Sequence, residues 1–500
     1  MARAVGADGL SGALEAAQVF DEARHAAFIA LSGDSNPLHA DAAGARRGYF
    51  GERVVHGVHL ALWALEAISV EKPAWAARVT LVDARFERPV YPGERVTLRV
   101  DTAAIDRLEL SLWLGGLRVT TLRLALGAEP VSPTLAPSAT PVARPVEAPD
   151  LAVEALASLS GETDAWTPPD AAETLFPTLT RLRGSAFVGA LCALSRVVGM
   201  QCPGRRALFS TARVSGLDGP LASEGAFAVR RARPHLSMVD LEVTLGSMSA
   251  VLRALVIPPP PPAPTAWVAQ GRMPPDAFRG RNALVLGGSR GLGATAALLL
   301  AASGARVCIT WRTGRDEAEH IAAEARSLGA DCMTCAFDSA APEALPGALA
   351  AIPGSPFVPD VVLYFPTPRI FTRRADPFDA ARFAAFAQVY VVDFARVVDT
   401  LVSAFGSDFA LLTPSTSALD VPVPELLEYA AAKAAAEQVV SQLERRWPKM
   451  RCVTPRLPRV ATDQTVSLVE TEAAHAVDAL RPHLLALVAP IAHTERELPP

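Results

Sequence analysis

Five hundred residues, half of them hydrophobic, are more than one core can organise, so the length predicts two to four domains. A net charge of −5 offers no basic footprint for nucleic acid, and no uncharged apolar run of membrane-spanning length and no charged-then-apolar leader is present. Six cysteines at this length are ordinary for a reducing compartment, so a cytoplasmic location is expected.

The first informative stretch is Ser32-Gly33-Asp34-Ser35-Asn36-Pro37-Leu38-His39. Gly33, Asn36 and Pro37 favour a loop, and a carboxylate (Asp34) and an imidazole (His39) on one loop can address the same water. That suits addition or removal of water at a double bond beside a thioester. Val55-His56-Gly57-Val58 then opens a helix predicted over Val54–Ile68, and a free N–H near Gly57 could hold the enolate oxygen of such a reaction. Alternating patterns over Arg95–Asp101 and Glu109–Leu126 predict strands.

A Pro/Ala/Ser/Thr-rich stretch from Pro130 to Pro149 is followed by what reads as a second copy. Ser160-Gly161-Glu162 echoes Ser32-Gly33-Asp34, Gly184 echoes Gly57, and Ala212-Arg213-Val214 echoes Ala84-Arg85-Phe86. A helix over Phe187–Val198 and strand patterns over Leu241–Ile257 complete it. Trp166-Thr167 falls where a counterpart of His39 is due, and Arg183 where one of His56 is due, so this copy is expected to be inactive. Pro258 to Pro264 is a polyproline spacer. The expected division is 1–130, active repeat; 150–257, inactive repeat; 258–270, linker; and 275–495, a nucleotide-binding domain.

Past the spacer, strands at Asn282–Leu286, Arg306–Trp311, Asp331–Phe337, Asp360–Tyr364 and Asp408–Leu412 alternate with helices such as Ala294–Ser303 and Glu317–Leu328, which predicts a doubly wound parallel sheet. Gly287-Gly288-Ser289-Arg290-Gly291-Leu292-Gly293 lies between the first strand and its helix, where glycines let a backbone approach a pyrophosphate. The second strand ends Thr310-Trp311-Arg312 without a carboxylate for a ribose hydroxyl. Arg290 and Arg312, with Arg315 in reserve, favour a 2′-phosphate and hence NADP(H). Tyr429 and Lys433 share a helix face. An ammonium near the phenol is expected to lower its pKa. Lysine occurs only at Lys72, Lys433 and Lys449, so one of three lysines falls in this pair. Thr413-Pro414-Ser415-Thr416-Ser417 offers hydroxyls upstream. Cys332-x-x-Cys335 lies in a strand with no second pair, and is read as core cysteines; no metal is expected.

Ser32 to Asp41 with Val55-His56-Gly57-Val58 resembles the motif of MaoC-like (R)-specific enoyl hydratases and dehydratases. The resemblance implies a hot-dog fold, doubled here by the second copy, with Asp34 and His39 as the catalytic pair supported by Asn36. Residues of about 278–465 resemble the short-chain dehydrogenase/reductase family of the 3-oxoacyl reductase type. That resemblance implies Tyr429, Lys433 and an upstream serine as catalytic residues. Ser415 is the first choice, with Ser417 also fitting. It also implies Gly287, Ser289, Arg290, Gly291, Leu292, Gly293, Arg312, Asp338 and Lys433 at the cofactor. The family's N-N-A-G reads Tyr364-Phe365-Pro366-Thr367 here, its fourth catalytic residue falls at Val392 or Asp393, with Asp393 the candidate substitute, and its Pro-Gly reads Pro458-Arg459. Together these imply a bifunctional NADPH-dependent 3-oxoacyl-thioester reductase and dehydratase acting on CoA- or carrier-protein-bound chains in fatty acid or polyketide-type synthesis. Two alternatives stay open: a hydratase with a non-catalytic nucleotide-binding scaffold, and the degradative direction. Chain length, thioester handle and oligomeric state also stay open; reductases of this family commonly pair as homodimers.

Overall fold

The structure is a computed structural model that describes residues 15–132, 147–354, 356–371, 378–468 and 471–489. It divides into two compact units, the first running to Pro259 and the second starting at Pro260. Much of the Pro130–Pro149 stretch lies outside the described residues.

The first unit is built on one antiparallel sheet of ten strands: β1 (Glu15–Val19), β2 (Val79–Phe86), β3 (Arg95–Ala103), β4 (Arg107–Leu114), β5 (Leu117–Leu126), β6 (Ser160–Asp164), β7 (Ala207–Ser215), β8 (Glu224–Arg233), β9 (Met238–Leu245) and β10 (Met248–Val256). Their order, β1-β3-β4-β5-β2-β7-β10-β9-β8-β6, reads the same from either edge once each strand is replaced by its counterpart in the other half. The halves join where β2 meets β7, with Asp83 opposite Arg213 and Ala84 opposite Ala212. The patterns expected over Glu109–Leu126 and Leu241–Ile257 are each two strands rather than one. The breaks come at Gly115 and Gly246, whose positive φ angles of 57° and 65° turn the chain into a hairpin.

Each half wraps its sheet around an apolar helix, α2 (Gly57–Glu71) or α3 (Ser185–Arg196), both buried nearly all round as core helices are. The shorter helix α1 (Glu22–Ser32) starts on Asp21, whose carboxylate accepts from the Arg24 N–H, and stops at left-handed Gly33. The halves are also tied at a buried carboxylate. Glu66 of α2 accepts from the Thr178 and Leu179 N–H groups that open the helix Pro177–Arg183.

Two of the three sequence echoes fall on matching elements: Gly57 and Gly184 at the starts of α2 and α3, and Ala84 and Ala212 opposite each other at the seam. The third does not. Ser160-Gly161-Glu162 lies in edge strand β6, the counterpart of β1, whereas Ser32-Gly33-Asp34 ends a helix. The second half passes from Arg183 through Gly184 straight into α3. It therefore has no counterpart of the whole Gly33–His56 segment, and no position there answers to His39.

The second unit carries a parallel six-stranded sheet of β11 (Asn282–Leu286), β12 (Arg306–Trp311), β13 (Cys332–Ala336), β14 (Val361–Tyr364), β15 (Ala410–Leu412) and β17 (Arg451–Val453), in the order β13-β12-β11-β14-β15-β17. A two-residue parallel ladder pairs β16 (Ser415–Thr416), which follows β15, with β18 (Arg456–Leu457), which follows β17. This is the doubly wound sheet that the alternating pattern predicts. Its strand order reverses between β12 and β14 beside β11, which places a crevice at the carboxyl end of β11. The expected linker is shorter than 258–270. The turn Ala266–Ala269 packs Ala269 into the core of the second unit, and the Ala266 N–H donates to Glu324. Among the described residues no single helix is long and apolar enough to cross a membrane.

Candidate active sites

In the first unit, Asp34 follows the α1 cap and is 2% exposed. Its Oδ1 accepts from the Asn36 N–H at 3.3 Å and its Oδ2 accepts from the Ser195 hydroxyl at 2.7 Å. Asn36 caps the turn that carries His39 and donates its side-chain amide to the carbonyls of Gly199 and Gly204. The His39 ring donates from Nδ1 to the Val54 carbonyl at 2.6 Å, which makes Nε2 the acceptor nitrogen. His56 stacks on His39 with ring centroids 3.6 Å apart and donates from Nε2 to the Asp34 carbonyl. The reactive atoms of Asp34, His39 and His56 fall within 4.8 Å of one another.

Asp34, Asn36 and His39 line a cavity of about 410 Å³ drawn from both halves. Phe86 and Phe209, one from each half, meet there edge to face. Gly57 opens α2 at its wall. A Cβ on Gly57 would lie 2.7 Å from the Phe86 ring, so only glycine brings this first N–H so close. Sequence reasoning missed the contribution of the second half. Ser195 ends α3, and Gly199 lies so near that a Cβ on it would be 2.2 Å from Asp34 Oδ1. Buried Arg196 ties the Ser32 carbonyl to Asp164. Neither signal was visible locally, because the partners are more than 160 residues away.

Burial raises Asp34 to about 6, against the hydrogen bonds from Ser195 and Asn36. Burial lowers His39 to about 4, and His56 goes well below its ordinary value for the same reason. Between these values the pair holds one proton, on the carboxyl. A protonated acid beside a neutral imidazole can give a proton at one atom and take one at another.

In the second unit the glycine turn is tightly built. Gly287 is left-handed at φ 73° and donates to the Thr310 hydroxyl, and a Cβ on Gly293 would sit 2.3 Å from the Gly287 carbonyl oxygen. Helix α4 (Gly291–Ala302) starts at this turn, so its first N–H groups lack helical partners. Ser289 and Leu292 are half-buried along it. Arg290 does not stand open for a phosphate: its guanidinium pairs with Asp463 at 2.6 Å. Arg312 is exposed at the end of β12, and Asp338 closes its own turn by accepting from the Ala340 N–H.

Helix α5 (Leu427–Arg446) carries Tyr429 and Lys433 on its buried face. Three expectations need correction here. Ser415 does not face Tyr429; its hydroxyl donates to Glu437 at 2.5 Å, and Glu437 is held by Arg456. The hydroxyl that acts on Tyr429 is that of Thr416, the next residue of β16 and so on its opposite face, and it works against the upward shift of the phenol. Second, Tyr429 is not lowered by Lys433. The ammonium lies 5.9 Å from the Tyr429 ring centroid and donates to the Pro414 carbonyl at 2.7 Å. Burial pushes Tyr429 up to about 12 and Lys433 down to about 7. Third, Asp393 does not reach this pair; it is buried and accepts from Gln388 at 2.7 Å. The residue at the lysine is Tyr390, whose ring centroid is 3.7 Å from Nζ.

The MaoC like domain family matches residues 12–109, and the short chain dehydrogenase family matches residues 281–355. The chain fuses a MaoC-like domain to a short-chain dehydrogenase domain. An (R)-specific enoyl-CoA hydratase from Aeromonas caviae is 36% identical over 86 residues, which are 17% of this chain and 64% of the hydratase, so the chain spans under two thirds of that relative's length. Among solved structures, a short-chain dehydrogenase from Burkholderia cenocepacia J2315 in complex with NADP is 23% identical with a TM-score of 0.38, covering 43% of this chain and 92% of that one. One from Escherichia coli CFT073 complexed with NADPH is 22% identical with a TM-score of 0.38, covering 43% and 93%.

Proposed function

We propose that the chain performs two consecutive reactions on an acyl thioester. Its second unit reduces a 3-oxoacyl group to the (R)-3-hydroxyacyl group, and its first unit removes water to give the trans-2-enoyl product. The observation that carries this reading is the Asp34–His39 pair, an acid and a base of shifted pKa in one cavity. In hydration, His39 Nε2 takes the proton of a water that attacks C3, while the Asp34 carboxyl gives its proton to C2. Dehydration reverses both transfers. The Gly57 N–H, at the positive end of α2, suits the enolate oxygen between the two steps. We read the ten-stranded sheet as two hot-dog repeats, of which the second supplies no acid–base loop but completes the Asp34 pocket.

The glycine turn suits a dinucleotide, since Gly287 and Gly293 clear the space at the start of α4 that side chains would fill. NADPH bound there would supply the hydride for ketone reduction. Arg312 suits its 2′-phosphate, Lys433 its ribose, and Tyr429 the proton for the ketone oxygen. A phenol pushed up to about 12 stays protonated at neutral pH. That is the form from which ketone reduction draws its proton. A second reading, a hydratase with a nucleotide-binding scaffold, draws on the engagement of Arg290 by Asp463 and of Asp393 by Gln388.

The deciding assay offers acetoacetyl thioesters of CoA and of carrier protein, with NADPH loss and enoyl formation followed separately. Tyr429→Phe is expected to abolish NADPH loss and leave hydration of the enoyl thioester intact. No NADPH loss by the unaltered protein on any such substrate would refute the bifunctional reading.

A further inference from the structure

Two unusual stretches of the second unit meet in space. Thr367 ends the segment Tyr364-Phe365-Pro366-Thr367 after β14, and Tyr390 lies in a π turn, Gln388–Asp393. Their hydroxyls hydrogen-bond each other. Tyr390 is 3% exposed, its ring parallel to Phe386 and edge-on to Tyr429. This anchoring fixes which way the ring face points, and it points at Lys433 Nζ, 3.7 Å from the centroid. Among the described residues the ammonium has one carbonyl acceptor, Pro414.

We propose that Tyr390 is the positioning residue for Lys433 in the reductase site. The proposal rests on the reductase reading above. A buried ammonium with few partners tends to shed its proton, and here burial opposes the charge. The negative face of a desolvated aromatic ring counters that tendency directly, because it attracts the cation and not the neutral amine. The other charged and titratable groups around Lys433 leave room for such a role. Glu437, one turn along α5, favours the charge, but is engaged by Arg456 of β18 and by Ser415. Asp393, on the same π turn as Tyr390, is taken by Gln388. Tyr429 is raised and neutral, and β16 contributes no charge. With one proton on Pro414 and the ring beneath, the lysine keeps a donor free for a ribose hydroxyl.

The test reads the lysine itself. With only three lysines in the chain, isotope-labelled lysine gives a small set of side-chain NMR signals, assigned with Lys72→Arg and Lys449→Arg. Lys433 is titrated in the full-length protein, in Tyr390→Phe, in Tyr390→Leu, and with pentafluorophenylalanine at position 390, which keeps the ring's shape but removes its negative face. Leucine and the fluorinated ring are expected to lower the proton affinity of Lys433 about tenfold, and phenylalanine to leave it within about twofold. If the fluorinated ring leaves the titration where it was, the proposal is overturned, whether or not the leucine variant folds. The titration needs no turnover. Absence of NADPH consumption by the unaltered protein would therefore refute the reductase reading while the titration still decides the role of Tyr390. In an active protein, NADPH turnover should fall in the leucine variant and be retained with phenylalanine.

Discussion

Ser195→Ala tests the contribution of the second half to chemistry in the first. The Ser195 hydroxyl donates to the Asp34 carboxylate at 2.7 Å in a site where the acid is 2% exposed. A hydrogen bond to a charged group is worth about 1.5–3 kcal/mol when one partner is removed. Because this one favours the ionised form, and one pKa unit is about 1.4 kcal/mol, its loss should raise Asp34 from about 6 by roughly one to two units. Hydration draws its proton from the Asp34 carboxyl, so its rate falls as pH rises through that value. In Ser195→Ala the falling limb should move up by one unit or more, with the maximal rate reduced because the carboxyl is less firmly placed. The assay follows loss of enoyl-thioester absorbance against pH at saturating substrate. A limb that stays put, in a folded variant, would refute both the role of Ser195 and the assignment of the limb to Asp34.

Gly199→Ala would set a Cβ 2.2 Å from Asp34 Oδ1, and the displaced carboxyl should lower hydration about a hundredfold while NADPH-linked reduction is unchanged. Thr416→Val should impair ketone reduction at least tenfold, whereas Ser415→Ala should change kcat by less than threefold, because the Thr416 hydroxyl acts on Tyr429 while that of Ser415 is held by Glu437; steady-state kinetics on an acetoacetyl thioester separates them. Gly293→Ala would meet the Gly287 carbonyl at 2.3 Å, so NADPH binding measured by fluorescence should be lost without loss of hydratase activity. Lys433 is lowered from 10.5 to about 7, so between those values the unfolded chain binds a proton that the folded one does not, and stability rises with pH across the window. Lys433→Met should therefore raise the melting temperature more at pH 6 than at pH 10; an equal gain at both would contradict the burial of the charge.

What the sequence made legible was whatever one segment carries by itself. The Ser32–His39 stretch, the glycine turn and the i, i+4 pair on α5 owe their geometry to neighbours in the chain; the last two stand in the expected local setting, while the first is a loop only between the end of α1 and the helical turn Pro37–Ala40 that carries His39. The partners of Asp34 were out of reach because Ser195 and Gly199 arrive through the packing of α3 against the first half. Ser415 and Ser417 were the expected hydroxyls, and strand alternation put Thr416 there instead: adjacent residues of β16 face opposite ways, and both carry hydroxyls. The sign of the Tyr429 shift failed for a related reason. Sharing a helix face with a lysine does not place its ammonium at the phenol, and Pro414 and Tyr390 claim that ammonium first. The strand runs over Glu109–Leu126 and Leu241–Ile257 were misread because alternation continues through a hairpin whose turn residues are few.

The seam between β2 and β7 bears on how such a protein diverges. Across it Arg213 pairs with Asp83 at 2.9 Å, while the mirror position sets Arg85 against Thr211. A two-fold dimer of identical chains would carry that ion pair twice or not at all. Joining two copies in one polypeptide lifts this restriction, since each side of the axis is encoded separately. Genetic drift can then remove a duplicated feature from one side while selection holds it on the other. The single ion pair at the seam and the single acid–base loop beside the cavity are, on the duplication reading, two outcomes of the same release from symmetry.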